Sequence, residues 1–389
     1  MKKNATVIMY IISISLISFA IGMFTLVFNL HISMLVDSKI FLSNFLLVGN
    51  IAMAVGGGGF GRLLDLCNKK TILLFAVFLS AILFTLECFS SNIIFLYIIS
   101  LGYGLSFSVL MSIHTPFVME NIDEKNQIHI LNLCSSCKLF ASTMGVFIGG
   151  NLPLRVIFKI NDSPYQLILI VASCVYLLAV IPVFFINVKQ EHNNMDQIKY
   201  KLIDNKKEDR KYPNMRIFSS IFFILGLLLF FSPYMNLYLN NRYPLDLNKI
   251  SIIITIIEIC PIITNVFLSK LFDCFEEKYI IICSCVLCIF FYGVLTICGL
   301  VYLQIGCFLI IYIISSFLFP QINRYILKEY PKEKRGQMSG KANMFYNIGD
   351  SIGTYSEGIF INYGIFRIPF FISCLLFYAL LLFMLKLKK

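Results

Sequence analysis

Twelve apolar runs, each about as long as a helix that crosses a hydrocarbon layer, dominate this chain. A bilayer core about 30 Å thick takes about 20 apolar residues of helix. Inside lipid every backbone N–H and C=O must be satisfied internally, which leaves helices or closed barrels. Runs of this length specify helices. They fall at 7–35, 40–60, 71–90, 93–118, 128–152, 166–187, 217–240, 250–269, 279–298, 301–323, 337–362 and 368–385. Turn chemistry marks several of the gaps, as at Ser90-Ser91-Asn92, Asn161-Asp162-Ser163-Pro164 and Tyr330-Pro331. Of 389 residues, 58% are hydrophobic and only 14% charged, against about 45–50% and about 25% in soluble domains. So few charges cannot clothe a water-soluble surface. The apolar excess is expected to face lipid, as an all-α membrane protein of twelve spans.

The first run follows Lys2 and Lys3, and its apolar core from Val7 to Leu30 exceeds the roughly 7–15 residues of a cleaved signal peptide. It is expected to be a retained span. An even number of spans puts both termini on one face. By position, 24 of the 32 Lys and Arg fall on that face. Lys39, Arg155, Lys159, Arg242, Lys249 and Arg367 fall on the other, and Lys138 and Lys341 lie within runs. Basic residues accumulate in cytoplasmic loops, so both termini are expected in the cytoplasm. The formal net charge of +11 is thereby an orientation signal rather than a nucleic-acid footprint. The thirteen cysteines lie mostly inside apolar runs, unlike those of an extracellular disulfide framework. With Trp absent, Tyr must supply the interfacial anchors.

Residues 189–216 form the only long polar stretch, mixing Lys, Asn, Asp and Glu. They read as a solvated linker between an N-terminal six-helix bundle at 1–188 and a C-terminal one at 217–389. The halves echo each other. Gly61 to Lys70 (GRLLDLCNKK) after the second run parallels Ser269 to Lys278 (SKLFDCFEEK) after the eighth, with Asp65 and Asp273 208 positions apart. Glu120 to Asn126 (ENIDEKN) parallels Glu329 to Arg335 (EYPKEKR) at an offset of 209. Two landmarks at nearly one offset indicate a duplicated six-helix unit.

With this repeat, span count and central loop, the whole chain resembles the major facilitator superfamily. The most specific local feature is the loop after the second span, where that family carries Gly, three residues, Asp, a basic residue, any residue, Gly and two basic residues. Gly61, Asp65, Lys69 and Lys70 match, while Leu66 replaces a basic residue and Asn68 the second Gly. The resemblance implies a conformational gate here, with Asp273 and Lys278 as its repeat. A carboxylate such as Asp65 would sit near a helix N-terminus and clamp the cytoplasmic side. Gly145-Val146-Phe147-Ile148-Gly149-Gly150 resembles an antiporter pattern in which Pro stands where this chain has Val146. Small residues at this spacing equally serve helix packing, as do Gly349 and Gly353. Gly102 and Gly104 are present, but Ile98 stands where drug/proton antiporters carry Arg.

Ionisable residues inside spans are costly and are functional candidates. Lys138 in the fifth span, Glu258 in the eighth and Asp350 in the eleventh all reach midplane depth. The resemblance makes spans five and eight neighbours, so Lys138 and Glu258 are expected to pair. His31 and His114 lie on spans that line the cavity in that fold. Glu87, near the end of the third span, is expected to reach interfacial water, and Glu357 lies in the outer half of the eleventh. Arg324 and Lys341 are expected to snorkel. Cys134 and Cys137, near His129, have metal-like spacing, but all three share one helix and no second ligand pair accompanies them. No phosphate-cradling Gly-rich Lys-Ser/Thr loop is present, and no nucleophile–base pair suggests an enzyme. No cofactor is expected.

These readings converge on a multi-pass carrier of the inner (plasma) membrane, moving a small solute by alternating access. Proton-coupled export of an amphipathic molecule is favoured. A proton-coupled importer is the first alternative, and a non-transporting sensor or assembly partner the second. Substrate, oligomeric state and coupling stoichiometry are not legible in the sequence.

Overall fold

The computed structural model describes residues 2–36, 40–66, 69–121, 124–154, 163–186, 215–228, 232–243, 245–272, 276–327 and 332–386. The described residues of the N-terminal half form α1 (Lys2–Leu35), α2 (Phe41–Leu66), α3 (Lys69–Phe89), α4 (Ile93–Asn121) and α5 (Glu124–Asn151). The sixth span is α6 (Gln166–Leu178) followed by α7 (Val180–Phe184). The seventh span is α8 (Met215–Leu227), a 3₁₀ turn at Ser232–Tyr234 and α9 (Met235–Arg242). Then follow α10 (Leu247–Phe272), α11 (Glu277–Ile297), α12 (Val301–Leu327), α13 (Lys332–Asn362) and α14 (Arg367–Lys386). These are the twelve spans expected from the apolar runs, in two bundles of six. The proposed linker at 189–216 lies almost wholly outside the described residues.

Packing repeats between the halves. In the first, span one lies on five, two on four, three on four, and six on both one and three. In the second, span seven lies on eleven, eight on ten, nine on ten, and twelve on both seven and nine. The duplicated unit read from two loop echoes is therefore a duplicated packing pattern. The halves meet through two principal helix pairs, α2 against α13 and α5 against α10. Eight helices among the described residues are individually long and apolar enough to cross a membrane. Their outer faces carry large exposed apolar side chains such as Phe75, Ile94 and Phe290. The strongly polar α13 is wedged between α8 and α2, which explains how a span rich in Asn, Ser and acidic residues is tolerated.

Glycine sets the closest approaches. A Cβ on Gly145 of α5 would strike the carbonyl of Phe19 on α1. The corresponding pair in the second half behaves alike, where a Cβ on Gly349 of α13 would strike the Phe223 carbonyl of α8. Backbones this close gain dispersion contact, which drives helix association where lipid removes the hydrophobic incentive.

The seventh span departs from the uninterrupted 217–240 helix expected from its apolar run. Pro233 is the reason: it has no N–H to donate, and its ring clashes with a preceding carbonyl. The helix ends at Leu227 and resumes at Met235. Pro182 has the same effect on the sixth span, which is interrupted at Ala179. Pro261, by contrast, lies within a continuous α10. Glu87 also departs from expectation. It is 3% exposed and within electrostatic reach of Tyr103 and Tyr176, turned into the N-terminal bundle rather than out to interfacial water.

Candidate functional site

Between the halves lies a cavity of about 320 Å³, within the roughly 300–1,000 Å³ typical of small-molecule sites. Each half contributes. Phe24, Phe28 and Asn29 come from α1, Ser142 and Val146 from α5, Asn236 from α9, Glu258 from α10 and Tyr312 from α12. Aromatic and aliphatic surface predominates. Two amides, the hydroxyls of Thr25, Ser142 and Tyr312, and one carboxyl supply the polar points.

The broken seventh span builds one wall. Where the helix is interrupted, backbone groups lose their intrahelical partners, and such irregular backbone is tolerated at membrane depth only beside protein or a cavity. Asn29 of α1 donates its amide to the Pro233 carbonyl. The Asn236 side chain donates back to the α1 carbonyls of Thr25 (3.1 Å) and Leu26 (2.7 Å). Asn29 and Asn236 also approach each other at 3.4 Å. The two asparagines thus staple the first and seventh spans, which the repeat makes equivalent. A double-mutant cycle of Asn29→Ala and Asn236→Ala is expected to show coupling of about 1 kcal/mol in thermal stability, the scale of one shared hydrogen bond. Simple additivity of the two losses would rule the staple out.

Glu258 lines the same cavity from α10, within hydrogen-bonding reach of the Thr143 hydroxyl of α5. Its expected partner is elsewhere. Lys138 lines a separate cavity of about 50 Å³ inside the N-terminal half, with Tyr10, Ser13 and Ser18. Five residues separate Lys138 from Thr143. At about 100° per residue they turn the helix by about 140°, so the face that meets α10 is not the face that carries Lys138. The expected Lys138–Glu258 ion pair is absent. Lys249 instead pairs with Asp246, at 3.8 Å on the surface. Asp350 is also outside the cavity lining. It accepts a hydrogen bond from Thr354 (3.2 Å), and its backbone lies against Gly226 of α8. Depth alone grouped these three residues, and the helix faces separate them.

The halves are held together on the side away from the termini. There Gly150 of α5 abuts Ser251 of α10, and Gly358 of α13 abuts Ser43 of α2 and Tyr234. Gly149 lies against Met23 and Ile168 within the N-terminal half, and Gly353 is buried in α13. Beside this seam Glu357 is 1% exposed, with neither carboxyl oxygen hydrogen-bonded, and lies within electrostatic reach of Tyr234. His31 is fully buried in α1, and neither ring nitrogen has a hydrogen-bond partner.

Of the loop residues matched to the gate pattern, Gly61 and Asp65 sit in the last turns of α2 and Lys69 opens α3, with their side chains outside the described set. Lys70 donates to the Phe184 carbonyl at 2.9 Å, capping the end of the sixth span. Asp273 is outside the described residues, Lys278 lies in the first turn of α11, and the His114 side chain is not described. No group of three or more candidate metal ligands occurs among the described residues. Asn29, Asn236 and Pro233 carry no charge, so the cost that marks an ionisable residue inside a span does not mark them. A proline followed closely by asparagine inside an apolar run was the available signal.

A sequence model described as Major Facilitator Superfamily matches residues 5–354, with a second match at 217–389. No curated protein sequence matches significantly. Solved structures share the fold. The nucleoside transporter NupG superposes with a TM-score of 0.70 at 14% identity, covering 100% of both chains. A bacterial homologue of the iron transporter ferroportin, in an inward-facing state, gives 0.75 at 13% identity over 98% of each chain. A bacterial homologue of the human lysosomal transporter Spinster, inward-facing and unoccupied, gives 0.75 at 10% identity, covering 98% of this chain and 96% of its own.

Proposed function

Because the chain belongs to the Major Facilitator Superfamily, we propose that it is a secondary active transporter driven by protons, exporting an amphipathic small molecule through the cavity between its halves. The observation that carries this reading is Glu258, a carboxyl placed in a mostly apolar, aromatic cavity that both halves build. Phe24, Phe28 and Tyr312 suit a flat or apolar body, and Asn29 and Asn236 suit its polar groups. An ionisable side chain at this depth is costly to keep unless it serves transport.

The seam on the side away from the termini supports alternating access. With Asn29, Gly150, Ser251 and Gly358 closing that side, the opposite state requires rocking of one six-helix half against the other. The excess of Lys and Arg on the terminal side supports cytoplasmic termini in a plasma membrane. In that orientation this structure is closed to the outside. A reporter fused at Lys389 and found outside would overturn the orientation.

Purified protein in proteoliposomes, challenged with an imposed pH gradient and a chemically varied solute panel, tests the function. Gradient-dependent movement of an aromatic amphiphile is expected, against the proton flow. Movement of the same solutes without any response to the gradient would defeat proton coupling. Movement along with the protons would make the protein an importer.

A further inference from the structure

We propose that the second half carries an anion site of its own, separate from the transport cavity, on the face away from the termini. It is a cavity of about 360 Å³ among the ends of spans seven, nine, ten, eleven and twelve. Two arginines line it. Arg242 is the last residue of α9, and Arg367 the first residue of α14. Both are exposed, and among the described residues neither is in an ion pair. Among the described residues no carboxylate lines the cavity. Arginine presents planar, directional donors suited to phosphate or carboxylate, and two of them at one opening with no counter-charge favour an anion.

The floor is built rather than incidental. Tyr238 and Tyr243 both donate to the Gln304 side-chain oxygen, at 2.6 and 2.5 Å. Gln304 donates in turn to the Cys298 carbonyl at 2.7 Å. Tyr238 is 1% and Gln304 4% exposed. With its oxygen taken twice over, Gln304 holds the tyrosines in place. Edge-on rings of Phe366 and Phe370 pack against Tyr238, with centroids at 5.3 and 5.8 Å. The result is a cup with an aromatic wall and a cationic rim. Its chemistry fits a phosphate or carboxylate head carried on an apolar tail. The neighbouring surface is apolar, with Ile297 83%, Leu300 69% and Tyr302 91% exposed, so an anionic amphiphile could enter from the lipid.

This site does not depend on the transport reading, and it is tested by binding rather than transport. Purified full-length protein is titrated with short-chain phosphatidylglycerol, with inorganic phosphate, and with chloride at matched ionic strength, while the thermal midpoint is followed. Phosphatidylglycerol is expected to raise the midpoint. The half-saturating concentration should rise about tenfold in each of R242Q and R367Q, the scale of one lost charge-assisted contact. R242K and R367K should fall between these variants and the wild type, because point charge is kept and the planar fork is lost. An equal effect from inorganic phosphate would support the site and identify a free anion as its ligand. An effect of the lipid alone would support the site and identify a headgroup. Equal titrations in the wild type and both glutamine variants, or chloride acting as well as phosphate, would overturn it.

Discussion

Replacing Glu258 by glutamine is expected to reduce gradient-driven solute movement to the level of protein-free vesicles, while the protein still folds. The substitution keeps the side-chain volume and keeps a group able to meet the Thr143 hydroxyl. It removes the exchangeable proton from the one carboxyl that lines the central cavity among the described residues. The change conserves volume and polarity, so a normal thermal midpoint with lost coupling would separate function from folding. Solute exchange at equal pH on both sides should survive better than driven movement, because exchange needs the cavity but not the proton. A Glu258→Gln protein that still responds fully to the gradient would remove Glu258 from the coupling mechanism. Since Lys138 faces a different cavity, Lys138→Ala should not rescue any Glu258 variant, and their losses should add.

The largest structural effect is expected at Gly145. Any Cβ there meets the backbone carbonyl of Phe19, and backbone of a long helix cannot step aside as a flexible side chain can. Gly145→Leu is expected to destabilise by roughly 3 kcal/mol, the upper end of the usual overpacking range. Folded yield and thermal midpoint should fall together. The repeat places Gly349 in the same relation to Phe223, so Gly349→Leu should behave alike. Gly293 of α11 and Gly306 of α12 make the contrast, because a Cβ at either meets nothing within 4 Å. Alanine at these positions should raise stability by up to about 1 kcal/mol, since glycine inside a helix carries an entropic penalty. Four helix-interior glycines would then split into two opposed pairs. A Gly145→Leu protein as stable as the wild type would refute the close α1–α5 packing.

Much of this was legible in the residues. Length and apolarity of the runs gave twelve spans, because lipid offers the backbone no alternative partner. The echo of Gly61 to Lys70 in Ser269 to Lys278 gave the duplication, and the packing of span one on five and seven on eleven is the same repeat in three dimensions. Depth along a helix was legible too, since it needs only a rise per residue. Glu258, Lys138 and Asp350 were grouped on that basis.

Azimuth was not legible, and it decided the site. An apolar run surrounded by other apolar helices shows no polar stripe to mark which face turns inward, because lipid and protein interior select similar side chains. Only the packed structure shows Glu258 facing the cavity, Lys138 turned about 140° from the α5–α10 contact, and Asp350 tied to Thr354. Glu87 fell to the same ambiguity: its position near a span end suggested water, and its face put it among Tyr103 and Tyr176. The asparagine staple needed more still, because Asn29 and Asn236 lie 207 positions apart and meet only once two bundles dock. Sequence determined which segments enter the membrane, since that depends on each segment's own transfer from water to lipid. Tertiary structure decided which side chains share a cavity, since that depends on rotations and contacts no single segment contains.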